Sequence, residues 1–180
     1  KSYDAFIAAM NDAAKELGMT ASHFDNTHGL TDKTHKASAE GIVAAEAIAG
    51  HPVRPVDYRA IPSCTYCHPQ VASLGLTEHQ ARARGLEVRT GTFPFAASGT
   101  AIARRQEEGM VKTVFDATTG ELLGAHMIGS DVTELIQGYA TAMSAEATET
   151  ELAHTVFPHP TLPEAMHESV LHALGRPLHH

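Results

Sequence analysis

The sequence predicts an α+β fold, in which an antiparallel sheet carries helices on one face and an amphipathic helix precedes it. Three observations predict this fold. Strand patterns are grouped in the middle of the chain, two of them form a hairpin, and helical patterns follow them. Apolar residues make up 43 % of the 180 residues, which is enough to bury a core.

In the first part of the chain, predicted helices alternate with a polar loop and a linker. Apolar side chains in residues 3–17 recur at three- and four-residue spacing, which predicts an amphipathic helix. Residues 20–36 are polar and turn-prone and predict a loop, whereas the Ala-rich residues 37–49 predict a second helix. Pro52 and Pro55 then predict an extended linker.

The middle of the chain predicts the sheet. Strand patterns occupy residues 61–67, 71–74, 86–95, 110–116 and 122–128. The turn at 117–120 joins the last two as a hairpin. Between the strands, Thr77 and Gln80 have the spacing of a capping box and predict a short helix that Gly85 ends. Further helices are predicted at residues 131–145, 150–154 and 162–174.

The net charge and the hydropathy of the chain argue against two classes of partner. The formal charge of −8 argues against a phosphate backbone as a ligand, so we expect no nucleic acid partner. No apolar run approaches the roughly 18–20 residues of a membrane span, and we expect no membrane partner. Without a leader at the start of this sequence, the predicted location is cytoplasmic.

The cysteines and isolated glycines carry weak signals. Cys64 and Cys67 form a lone CxxC, whereas a zinc site usually needs four ligands. In a regular strand their side chains point to opposite faces, which favours reduced structural thiols. Gly91 and Gly99 are interpreted as turn glycines, not as a phosphate-binding loop.

Residues 157–164 carry the clearest chemistry. His159 lies between two prolines, each of which restricts the backbone, so its imidazole is expected on a stiff extended segment. Glu164 lies in the first turn of the next helix. A histidine with a nearby carboxylate suits general acid/base chemistry, because the carboxylate selects the tautomer and raises the basicity of the ring.

Two other interpretations of the same region stay open. Thr161 and Glu164 also fit a capping box, which by itself would explain both residues. A metal site is the second, because four histidines lie close together in the sequence: His154, His159, His167 and His172. The last two are five residues apart on one helix rather than three or four, so no metal ligand is predicted.

Several long motifs together resemble the dihydrolipoamide dehydrogenases. Residues 159–164 (HPTLPE) and 166–170 (MHESV) resemble the C-terminal signature of that family. Further segments follow in the order of the family: residues 35–41, 61–78, 109–112, 120–124 and 129–136. The resemblance covers about four fifths of the chain and identifies it with the dimerisation domain of the family.

The resemblance implies a role for two residues and a partner. In the family, the histidine and glutamate of the signature act across a twofold axis on the disulfide and flavin of the other subunit. This maps an acid/base pair onto His159 and Glu164 and implies a homodimer. The family cofactors are FAD and NAD. Pro163 departs from the serine usual in the family, which bears on the placement of Glu164.

The first 34 residues resemble a different family, the serine D-Ala-D-Ala carboxypeptidases. They match a helix and loop of that family, but its SxxK, SxN and KTG motifs are missing. The sequence therefore predicts a chimera, of engineered or recombined origin, joined near residues 34–35. The predicted parts are a carboxypeptidase-like fragment at 1–34, a helix and linker at 35–58, and the dimerisation domain at 59–180.

The predicted function follows from the dehydrogenase motifs that are missing from the sequence. A dihydrolipoamide dehydrogenase needs two GxGxxG turns and a CxxxxC redox pair, and neither motif occurs here. We therefore predict a dimerisation domain with no bound cofactor and no turnover, in which His159 and Glu164 are an inherited pair. The alternative is an FAD-dependent dehydrogenase whose other domains lie outside this sequence, so enzymatic activity is left open.

Overall fold

The computed structural model divides into two compact units, Lys1–Tyr58 and Arg59–His180, and each is described by itself. The structure describes residues 3–16, 23, 43, 47, 50, 52–53 and 57–179. The predicted division into three parts at 34–35 and 58–59 stays a prediction.

The first unit contains the predicted amphipathic helix. Helix α1 spans Tyr3–Glu16, and Ala14 is buried within it. Apart from single positions, the predicted loop at 20–36 and the predicted helix at 37–49 lie outside the described residues. In the same unit, Pro55 lies outside them as well.

The second unit is built on a five-stranded sheet with the strand order β1-β2-β5-β4-β3 and antiparallel pairing throughout. The strands are β1 Ser63–Thr65, β2 Gln70–Gly75, β3 Val88–Pro94, β4 Gly109–Asp116 and β5 Leu122–Gly129. The predicted hairpin is therefore confirmed as β4–β5. The predicted strand at 61–67 is wrong in length, because Pro62 cannot donate to a ladder and the chain bends at Cys67.

Five helices accompany the sheet among the described residues of this unit. They are α2 Glu78–Ala83, α3 Gly99–Arg104, α4 Val132–Ser144, α5 Glu149–His154 and α6 Glu164–Ala173. The capping box of α2 is confirmed: the Gln80 N–H donates to Thr77 Oγ1 at 3.2 Å, and the Thr77 N–H donates to Gln80 Oε1 at 2.9 Å. Helix α3 was not predicted, since its six residues are too few to show a period and Ser98 before it lacks the Glu or Gln that completes a capping box.

The main core lies between the sheet and helices α4 and α6. Val111 of β4 and Met127 of β5 point into it and are buried. Because side chains alternate along a strand, their neighbours Met110 and Ile128 point to the other face, where they are 38 % and 39 % exposed. These two residues are register partners, so they form one apolar spot on the sheet.

Gly91 corrects the interpretation of the glycines. It lies in the middle of β3 rather than in a turn, and a Cβ added there would lie 1.8 Å from the carbonyl oxygen of Ser169. The missing side chain lets helix α6 approach the sheet. Gly99 is also not a turn residue, because it is the first residue of α3.

The two cysteines are not placed as a regular strand would place them. Cys64 lies in β1 with its Sγ 3.9 Å from the carbonyl oxygen of Thr133, whereas Cys67 follows the strand and is exposed. Both are free thiols. In the described part of the chain, no helix is long and apolar enough to cross a membrane.

Candidate acid–base site

The segment that carries His159 is anchored on both sides of that residue. Before it, the ring of Phe157 stacks on His167 with centroids 5.0 Å apart, and His167 Nε2 donates to the carbonyl oxygen of Ala153 at 2.9 Å. After it, Leu162 is buried in the core. The prediction of an extended segment is wrong beyond Pro158, because the chain bends at residues 159–161 and the His159–Pro160 peptide is cis.

His159 and Glu164 form a direct pair. His159 Nδ1 lies 2.7 Å from Glu164 Oε1, and the second carboxylate oxygen accepts from the Thr161 N–H at 2.8 Å. Since a carboxylate only accepts hydrogen bonds, the ring donates from Nδ1 and its Nε2 is the nitrogen available for proton transfer. The His159 side chain is 80 % exposed, so the ring is open to a reactant from outside the chain.

The predicted capping box at Thr161 and Glu164 is only half formed. The glutamate does accept from the Thr161 N–H, but Thr161 Oγ1 donates to the carbonyl oxygen of Pro158 at 2.5 Å instead of capping the helix. The reason is the position of the helix start. Helix α6 begins at Glu164 with Pro163 before it, so Glu164 lies one position into the helix rather than three.

The local electrostatics keep Glu164 ionised. Burial raises the pKa of this carboxyl, but the Thr161 N–H and the His159 ring stabilise its charged form, so its pKa lies below the usual value. An ionised Glu164 holds the proton on His159 Nδ1. The arrangement can therefore accept or donate one proton at His159 Nε2.

The pair lines an open groove of about 770 Å³ between α3, α5 and α6. Three exposed apolar side chains stand along it: Ile102 at 50 %, Val156 at 93 % and Leu178 at 71 %. The same groove is lined by Glu168 and His179, for which the sequence predicted no role in the site. Glu168 follows Glu164 by one helical turn, and that spacing was the available signal.

The other histidines of the predicted cluster bind backbone groups. His154 Nδ1 lies 2.7 Å from the carbonyl oxygen of Thr150, and His172 Nδ1 accepts from the Thr92 N–H at 3.1 Å. His167 bonds to Ala153, as described above. Within the described residues, no three His, Cys, Asp or Glu side chains are arranged to hold a metal ion.

Comparison with known proteins places the second unit in a family. Residues 61–170 match the family model of the pyridine nucleotide-disulphide oxidoreductase dimerisation domain. The chain belongs to this family. Residues 1–86 also match the model of the D-alanyl-D-alanine carboxypeptidases, so the two matches overlap at 61–86 and the second extends past the predicted junction.

Curated proteins with similar sequences are dihydrolipoyl dehydrogenases. A dihydrolipoyl dehydrogenase of Zymomonas mobilis is 61 % identical over 146 residues, which are 81 % of this chain and 31 % of that protein. One of Rhizobium etli is 59 % identical over 145 residues, which are 80 % of this chain and 30 % of that protein. The chain thus spans less than a third of the length of these relatives.

Solved structures share the fold. LpdA from Mycobacterium tuberculosis superposes with a TM-score of 0.71 and 25 % identity, over 79 % of this chain and 31 % of that one. The HOCl-induced flavoprotein disulfide reductase RclA from Escherichia coli gives a TM-score of 0.68 and 26 % identity, over 73 % and 31 %. These likenesses confirm the predicted α+β dimerisation-domain fold.

The described groove does not fit the dinucleotide cofactors of this family. A pyrophosphate is held by backbone N–H groups at a glycine-rich helix start. In the groove, Glu164 and Glu168 would instead repel it. Among its described lining residues the groove has a single glycine, Gly99, which begins α3 without a glycine-rich loop before it.

Proposed function

We propose that this chain is a dimerisation domain of the dihydrolipoyl dehydrogenase type, which pairs with a second copy and has no turnover by itself. The observation that carries the proposal is the outward-facing His159–Glu164 pair, with a 2.7 Å contact at Nδ1 and a ring that is 80 % exposed. A proton-transferring group that faces out of its own chain needs its reactant from a partner.

The chemistry of the pair follows from its geometry. Glu164 fixes the Nδ1–H tautomer and orients the ring, and it stabilises the imidazolium that forms when Nε2 takes up a proton. A thiol presented to Nε2 would lose its proton to the ring, and the thiolate would attack one sulfur of a disulfide. A new S–S bond would form as the old one breaks, and the imidazolium would give the proton to the thiolate that leaves. Bound flavin and nicotinamide would supply hydride transfer, but only in a whole enzyme that has the domains to hold them.

The absence of turnover is proposed for this chain alone. His159 needs a reacting disulfide, and the sequence provides only Cys64 and Cys67. Cys64 is held in β1 beside Thr133, which ties it to the sheet rather than to the groove. An assay of lipoamide reduction with NADH and added FAD should give no rate above the blank. A rate that disappears in His159→Gln would overturn this part.

The proposed dimer uses the side of the domain that carries the groove. Val156 is 93 % exposed and Ile102 is 50 % exposed, and both flank the acid–base pair. Stable homodimer interfaces bury about 2,000 Å² or more and are apolar at their centre. Exposed aliphatic side chains beside a group that needs a partner therefore favour this face.

Sedimentation of the purified chain tests the dimer. We expect twice the chain mass for the wild type and the mass of one chain for Val156→Glu. Met110→Glu is the matched control, because it puts the same charge on an exposed apolar residue of the other sheet face. A wild-type chain that stays monomeric at high concentration contradicts the proposal, and a monomer produced only by Met110→Glu moves the interface to the other face.

A second candidate is favoured by the partial coverage of the relatives. Because the chain spans 31 % of the Zymomonas mobilis enzyme at 61 % identity, it can be one part of an active FAD-dependent dehydrogenase. In that case His159 and Glu164 serve a flavin site on another subunit. Flavin absorbance in a longer protein that contains this sequence, isolated from its natural source, would favour this candidate, and a flavin-free natural product of 180 residues would favour the first.

We also propose that the chain is a chimera, of engineered or recombined origin. Matches to two unrelated family models, at 1–86 and 61–170, support this. A chimera of this kind contains no complete peptidase site. Incubation with a penicillin that acylates D-Ala-D-Ala carboxypeptidases should leave the chain mass unchanged by mass spectrometry, and an acylated chain would contradict the proposal.

A further inference from the structure

A second imidazole–carboxylate pair lies beside the first. The side chain of Glu168 is only 6 % exposed, yet it accepts three hydrogen bonds from one short segment. Its Oε2 accepts from the N–H groups of Leu178 at 3.0 Å and of His179 at 3.3 Å, and its Oε1 lies 2.9 Å from His179 Nδ1. Hydrogen bonds to a buried carboxylate are strong, so Glu168 fixes this segment to α6.

The two pairs share one groove. Glu164 and Glu168 are four residues apart on α6, which puts them on the same side of the helix. All four members of the pairs line the groove: His159, Glu164, Glu168 and His179. Two carboxylates at this spacing repel each other, and a nearby positive charge offsets the repulsion.

We propose that Glu168 is a positioning residue, which holds the segment 176–179 against α6 so that the charge of His179 acts on the carboxylate of Glu164 and, through it, on His159. The proposal rests on the proposed acid–base function of His159. It adds a role for residues that do not touch the reactant. The ring of His179 is 68 % exposed, so Glu168, rather than packing, keeps it in place.

The electrostatics of Glu164 support the link. Burial raises the pKa of Glu164, and the Thr161 N–H, His159 and the charge of His179 together bring it below the usual value. Removing that charge should therefore raise the pKa of Glu164.

The other titratable groups of the groove are engaged elsewhere. His154 of α5 bonds to the carbonyl oxygen of Thr150, and His167 of α6 bonds to that of Ala153. Neither of them contributes to the lowered pKa of Glu164. This makes His154→Gln a matched control for His179→Gln, because both changes remove one imidazole from the same groove.

Carboxyl-detected NMR titration of the full chain tests the proposal. We expect the pKa of Glu164 to rise in His179→Gln and to stay at its wild-type value in His154→Gln. In Glu168→Gln, the amide protons of Leu178 and His179 should exchange faster. In the Glu168→Gln background, the additional change His179→Gln should shift the pKa of Glu164 less than it does in the wild type.

Two outcomes would overturn the proposal. One is a pKa of Glu164 that does not change in His179→Gln, a variant that stays testable even if Glu168→Gln fails to fold. The other is an equal effect of His179→Gln with and without Glu168. Both measurements report on groups within one chain and need no flavin, so a monomeric chain would contradict the proposed dimer and leave this proposal standing.

Discussion

Single residues decide the chemistry of the groove. In the proposed function, His159 transfers a proton at Nε2, because Glu164 occupies its Nδ1 and Thr161 orients Glu164 in turn. The carboxylate is thus held by two donors, and its pKa lies below the ordinary carboxyl value of 4.5. The stability that these bonds give is therefore tied to pH.

The first residue-scale prediction concerns Glu164→Gln. A group whose pKa is lowered in the folded state stabilises it above the unfolded pKa and stops doing so as the pH falls through the folded pKa. At pH 7 we expect a loss of about 1 kcal/mol in the free energy of unfolding, since the site is partly exposed. Urea unfolding at pH 7 and at acid pH measures it.

The difference between Glu164→Gln and the wild type should shrink once the pH falls well below 4.5. Glu107→Gln is the control, because Glu107 is an exposed residue of the loop before β4. It should change the free energy of unfolding by less than about 0.5 kcal/mol at either pH. A loss in Glu164→Gln that is equal at both pH values would contradict the charge-based explanation.

A second residue-scale prediction concerns the buried hydroxyl of Tyr139. It donates to the carbonyl oxygen of Met166 at 3.0 Å and lies 2.9 Å from Ser169 Oγ, and burial raises the pKa of this phenol. Tyr139→Phe should lower the free energy of chemical unfolding by about 1–2 kcal/mol, since the buried Met166 carbonyl and Ser169 hydroxyl each lose a hydrogen-bond partner. Tyr66→Phe is the control, because Tyr66 is 79 % exposed. Equal losses in the two variants would argue against the buried network.

At the scale of elements, the close approach of α6 to β3 depends on one glycine. Gly91→Ala would place a Cβ 1.8 Å from the carbonyl oxygen of Ser169 and 2.6 Å from the Ala173 nitrogen. Neither backbone atom can move without shifting the helix, so we expect a loss of about 3 kcal/mol or more. Thermal or urea unfolding measures it.

Gly99→Ala provides the matched control for that change. Gly99 begins α3, and a Cβ there meets nothing within 4 Å. Gly99→Ala should raise the free energy of unfolding by about 0.5–1 kcal/mol, because alanine restricts the unfolded chain. If Gly91→Ala were as mild as Gly99→Ala, the helix and strand would have to be less tightly packed than described.

The elements also show what a sequence can predict. The β4–β5 hairpin and helix α4 were predicted because their apolar periods are long and have clear ends. The role of Gly91 was not, since its reason is a contact with Ser169, which lies 78 residues away in sequence. Likewise, the His159–Glu164 pair was predictable from local spacing, whereas the Glu168–His179 pair needs the segment after α6 to fold back.

At the scale of the whole molecule, the stability of the second unit should not depend on the first. Among the described residues, the buried members of the two apolar clusters lie between Ala72 and Ala173, within the unit Arg59–His180. Folding cooperativity follows shared cores. The fragment Arg59–His180 is therefore expected to fold by itself.

We predict that this fragment keeps the melting temperature of its unit in the full chain, measured by circular dichroism. A drop of more than roughly 4 °C would correspond to about 1 kcal/mol or more of lost stability and would contradict independence. Val111→Ala in both chains is the control, because truncating a fully buried core residue should lower both melting temperatures equally. Unequal effects would mean that residues 1–58 take part in the folding unit that contains Val111.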